Sequence, residues 1–91
     1  MIQSFRHKGL KALFQKNDRR KLQADLVDRI IRRLAAMDAA ASLKSLEVPG
    51  FDFHGLSGKP KRYSIHVNGP WCITFEWDGT DVTDVDLENY H

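Results

Sequence analysis

Residues 62–77 read RYSIHVNGPWCITFEW, and this stretch decides the fold. Tyr63, Ile65 and Val67 alternate with Ser64, His66 and Asn68, then Trp71, Ile73, Phe75 and Trp77 alternate with Cys72, Thr74 and Glu76. A period of two places successive side chains on opposite faces of a strand. Asn68-Gly69-Pro70 between the two runs is a turn, so the segment predicts an antiparallel hairpin with one apolar face. A lone hairpin is only marginally stable in water, so that face needs a cover.

The cover lies upstream. Leu22, Leu26, Val27, Ile30, Ile31, Leu34 and Met37 form one helical stripe, with Asp25, Asp28, Arg29, Arg32 and Arg33 off it. Ala35, Ala36, Ala39, Ala40 and Ala41 keep helix propensity high to its end. Before it, Leu10, Leu13 and Phe14 recur at helical spacing within residues 6–16, while Lys8, Lys11 and Lys16 stay polar. Residues 17–21 (NDRRK) read as a loop, Ile2 to Phe5 as a short edge strand, and Ser42 as the cap of a turn over SLKSL.

Downstream of Pro49-Gly50, Phe51 and Phe53 alternate with Asp52 and His54, which predicts another strand. Residues 57–61 (SGKPK) form a basic, turn-rich loop. After Asp78-Gly79, Val85 and Leu87 mark a last strand ending near Tyr90. The whole, residues 1–91, is expected to be one α+β domain with its helices on one face of an antiparallel sheet. Phe53, Tyr63, Ile65, Val67, Ile73, Phe75 and Val85 would face the helices. His54, Arg62, Ser64, His66, Cys72, Thr74 and Glu76 would form the opposite, open face.

Charge is segregated along the chain. All fourteen Lys and Arg lie within residues 1–62 against six Asp and Glu, whereas residues 63–91 hold six acids and no Lys or Arg. A basic segment of this kind suits a phosphate-bearing partner, although solvated helix faces would produce the same count. No apolar run approaches the ~20 residues of a membrane span, and the opening MIQSFRHKG has no signal-like apolar stretch. The single Cys72 excludes an internal disulfide. A cytoplasmic protein without metal or cofactor is expected.

RNA cleavage without a metal needs a base for the 2′-hydroxyl, a cation for the phosphorane and an acid for the departing 5′-oxygen. Histidine suits the proton transfers, and lysine or arginine the charge. His54, His66 and His91 with Lys59, Lys61 and Arg62 supply these types. Singly, each reads as an ordinary surface residue. Trp71 and Trp77 read as packing, Cys72 as an inert strand residue, and the acids from Glu76 to Glu88 lack a ligand-loop pattern.

MIQSFRHKGLKALF, RIIRRLAAMDAAASLKSL, FHGLSG, RYSIHVNGPWCITFEW and the terminal NYH, in this order, resemble the HigB-type host-inhibition toxins of the RelE/ParE superfamily over nearly the whole chain. The resemblance implies a RelE-like (microbial ribonuclease-like) fold, with two N-terminal helices on a curved antiparallel sheet. It implies a toxin of a type II toxin–antitoxin system, an endoribonuclease that cuts messenger RNA at the ribosomal decoding site. Its partner would be a HigA-type helix-turn-helix antitoxin, through which alone it meets operator DNA. It also assigns His54, Tyr90 and His91 to catalysis, and Lys59, Lys61 and Arg62 more loosely to phosphate. Three positions depart from the family pattern: Cys72 stands where an arginine is common, Asn89 where an aspartate is, and Ser57 where a lysine is. These departures motivate a catalytically weakened protein that only binds its antitoxin. A ParE-like protein that binds DNA gyrase is the other alternative on the same scaffold.

Overall fold

His7 opens the first helix: its Nδ1 accepts the Leu10 N–H at 3.1 Å while its own backbone stays extended. In this computed structural model, which describes residues 1–89, α1 spans Lys8–Lys16. It ends where Asn17 turns left-handed at φ 53° and donates its N–H to the Leu13 carbonyl, a conformation asparagine tolerates better than most residues.

The second helix starts later than its apolar stripe predicts. Gln23 is extended, Ala24–Leu26 make a single 3-10 turn, and α2 spans Val27–Ala39. Leu22 belongs to the stripe by spacing but lies outside the helix, against α1 at Gly9. Asp28 falls in the first turn of α2, where the helix dipole favours an anion. Ser42 stands at the start of the 3-10 turn Leu43–Leu46, yet its side chain makes no capping bond; Ser45 Oγ instead donates to the Ser42 carbonyl.

Four strands follow, β1 His54–Gly55, β2 Tyr63–Asn68, β3 Trp71–Trp77 and β4 Val82–Asn89, antiparallel in the order β1-β2-β3-β4. The expected strand through Phe51 and Phe53 shrinks to two residues, because Asp52 takes φ 46°. Both rings still turn inward: Phe51 is buried, and Phe53 stacks on Tyr63 at 5.6 Å and on Phe75 at 6.4 Å. Ile2 to Phe5 likewise forms no regular strand. It bridges β4 in parallel at Ile2–Val82 and Phe5–Val85 only. The register of β3 on β4 slips between Thr74–Asp86 and Glu76–Thr83, and Asp84 within the slip has φ 51°. This bulge lets Val82 and Val85 both point inward although they are three residues apart.

The helices cover one face. α2 packs across β2, and α1 packs on α2 and β4. Leu10, Ile30, Leu34, Met37, Ile65, Val67, Ile73, Phe75, Val82 and Val85 are essentially sealed from solvent in one cluster. Arg33 crosses the same layer: Nε donates to the His66 carbonyl at 2.8 Å, and the guanidinium lies 4.8 Å from the Phe51 ring.

Candidate active site

The register builds the outer face row by row. His54 on β1 is level with Ser64, Thr74 and Asp86, and the row beyond it holds His66, Cys72 and Glu88. The predicted open face is only partly open, since Ser64 and Thr74 are buried. Ser64 Oγ has no hydrogen-bond partner among the described residues.

His54 is exposed, and its Nδ1 lies 2.8 Å from the Asp52 carbonyl. A carbonyl only accepts, so Nδ1 carries the proton and Nε2 of the neutral ring keeps a free lone pair. The left-handed turn at Asp52 sets up this bond. Sequence alternation placed His54 on the outer side but gave no sign of its tautomer.

Lys61 Nζ reaches back over β1, donating to the Leu56 carbonyl at 3.0 Å and resting 5.7 Å from the Tyr63 ring. A Cβ at position 55 would come within 2.7 Å of that Nζ, so Gly55 makes the approach possible. Sequence reasoning passed over Gly55; a glycine beside a strand residue is a recognised sign of close approach. Lys59 is exposed in the loop between β1 and β2.

Arg62 is placed differently. Its side chain is 13% exposed and donates to Glu76 at 3.0 Å, Thr74 Oγ1 at 3.1 Å and the Asp84 carbonyl at 2.8 Å. Thr74 Oγ1 donates in turn to Glu88, and Arg6 joins Glu76 at 3.5 Å. Arg62 is thus engaged by the sheet, whereas Lys59 and Lys61 stay accessible. Arg6 is the member of this network that sequence reading missed, because its partner is seventy positions away in the chain. His66 points Nε2 at the Gly69 carbonyl at 3.0 Å, inside its own hairpin.

Tyr90 and His91 lie outside the described residues. β4 reaches Asn89 opposite Trp71. β1 and β4 are separated by three strand spacings, roughly 14 Å across the sheet.

A two-helix layer, a four-stranded antiparallel sheet and a polar outer face edged by His54 and a lysine-bearing loop define a small α+β protein of the kind the sequence resemblance implied. Residues 3–91 match the family described as RelE-like toxin of type II toxin-antitoxin system HigB, and the chain belongs to that family. It is 41% identical over 92 residues to the endoribonuclease HigB of Proteus vulgaris, covering 100% of both chains.

Proposed function

We propose that the chain is an endoribonuclease that cuts messenger RNA on the ribosome without a metal. A HigA-type antitoxin neutralises it in the cytoplasm and carries the pair to operator DNA. The observation that carries this reading is the anchored His54 ring, which offers Nε2 to solvent on the outer face of the sheet.

In the proposed reaction, His54 Nε2 takes the proton of a substrate 2′-hydroxyl. The oxygen attacks the adjacent phosphorus, forming a 2′,3′-cyclic phosphate, and the bond to the 5′-oxygen breaks. His91, with Tyr90 orienting it or the phosphate, returns a proton to that leaving oxygen. Lys61 and Lys59 stabilise the phosphorane charge, filling the role left open by Ser57 and Cys72. Arg62 contributes by holding β2, β3 and β4 in place more than by meeting phosphate.

The test is inducible expression without an antitoxin, with transcript 5′ ends mapped beside His54→Gln and His91→Ala controls. In-frame cuts confined to the parent are expected. One observation favours a second reading, a weakened toxin that only binds its antitoxin: Arg62 is neutralised, and Glu76, Asp86 and Glu88 share its face. Unimpaired growth would support that reading, and arrest with intact transcripts would support a gyrase-binding one.

A further inference from the structure

α1 carries Lys8, Lys11 and Lys16 and no acidic residue. The chain between the helices brings Lys21 to the same surface, so the four lysines line one shallow groove whose remaining walls are Ala12 and Gln15. All four are exposed, and none enters an ion pair among the described residues. The neighbouring arginines differ: Arg20 is bound by Asp18 at 3.0 Å, and Arg19 faces Asp28 at 3.6 Å. Packing does not require these lysines, because α1 is held by Leu10 and Leu13 on its other side. Four unneutralised ammonium groups around one groove repel one another until an anion joins them.

The groove fits a phosphate backbone better than a protein. Its walls offer a methyl group and an amide but no large apolar anchor of the kind that dominates protein interfaces. The apolar Leu13, Phe14 and Ile31 open onto a separate groove between α1 and α2. Lys8 to Lys16 spans ~12 Å of helix axis, a length over which one nucleic-acid strand presents about three phosphates. Lysines act as mobile point charges, suited to a backbone contact that reads no sequence.

We infer that Lys8, Lys11, Lys16 and Lys21 form a docking site for the backbone of a folded RNA, separate from the outer sheet face that takes the strand to be cut. This rests on the ribonuclease reading and extends it: the helix layer grips structured RNA of the ribosome while the opposite face works on the message.

The test uses the full chain and a short RNA duplex as probe, with affinity measured across a salt series. The Lys8→Gln/Lys11→Gln/Lys16→Gln/Lys21→Gln variant should bind at least ~10-fold more weakly near 0.1 M salt. Its log–log salt slope should be shallower by about 2–3, since each phosphate contact contributes close to one. Lys8→Gln/Lys11→Gln should fall midway, and both variants should keep the parent's melting temperature. An unchanged slope would overturn the inference. So would loss of antitoxin binding with the RNA slope intact, which would make the groove a protein-docking surface. Failure of the ribonuclease reading shows separately, as transcripts left uncut by the parent whatever its grip on the duplex.

Discussion

Two arginines that solvent hardly reaches sit on opposite faces of the same sheet, and they are neutralised in different ways. Arg33, between α2 and β2, has no carboxylate partner among the described residues. It donates to the carbonyls of His66, Arg29 and Gly50 and lies on the Phe51 ring. Burial, followed by repulsion from Arg32 and Arg29, lowers its pKa from the ordinary arginine value. Arg62, on the outer face, is matched by Glu76 and ties β2 to β3 and β4. Arg33 acts as a staple for backbone carbonyls, and Arg62 as the centre of a charge network. Neither is free to meet a phosphate. Availability follows from what a cation already touches. Lys59 is exposed in the loop between β1 and β2, with no bond to the sheet among the described residues. Lys61, on the Tyr63 side of β1, must release the Leu56 carbonyl to reach a phosphate.

The sharpest way to break this contrast is through activity. His54→Gln should lower transcript cleavage by ~10²–10⁴, the usual range for a lost general base, with the melting temperature unchanged because the ring is exposed. Lys61→Met should follow at ~10², comparable to losing one donor to a developing oxyanion. If Arg62 is structural, Arg62→Met should affect cleavage less than Lys61→Met does, and should destabilise the fold by ~1–3 kcal/mol through a half-buried Glu76 left to Arg6 alone. A larger cleavage loss in Arg62→Met at unchanged stability would reverse the assignment of the two cations. Arg33→Met should cost ~1–3 kcal/mol in denaturant unfolding, from carbonyls left unsatisfied, and should leave cleavage intact in the folded fraction.

The smallest effect belongs to an exposed pair. Arg20 donates to Asp18 through its side chain and backbone and holds that carboxyl at about 2, below its ordinary 3.8. A depressed carboxyl stabilises the folded state above its ordinary pKa, and the contribution disappears as pH falls through about 2. Because the Arg20 side chain is 88% exposed, water screens most of the attraction. Asp18→Asn should therefore lower the melting temperature at neutral pH only slightly, and that small difference from the parent should vanish as pH falls from about 4 to about 2.

The hairpin over residues 63–77 and the buried face of α2 were legible because their periods are long and uninterrupted. The start of α2 was not. Leu22 continues the stripe by spacing while packing on α1 from a non-helical segment, and spacing alone does not separate those cases. Phe51 and Phe53 were rightly placed inward, but a left-handed residue between them replaces most of a strand. At the site, His54 was readable as an outer-face residue. The engagement of Arg62 was not, because its partners lie twelve to twenty-two positions away and meet it only once the strand register is set. The bond that fixes the His54 ring depends on the backbone at Asp52, which side-chain patterns do not encode.

The way the amino-terminal segment is laced along β4 also bears on when the protein acquires its shape. Gln3 and Arg6 donate to the carbonyls of Val82 and Val85, and the N–H groups of those valines return bonds to Met1 and Ser4. These contacts join segments about eighty positions apart in the sequence. Pairings so distant along the chain form late and slow a fold's completion. While it is being synthesised, the chain can assemble its helices and the β2–β3 hairpin, but the sheet closes only after Val82–Asn89 has been added. The growing chain therefore stays unfinished until synthesis has run past β4, and whatever depends on the closed sheet waits until then.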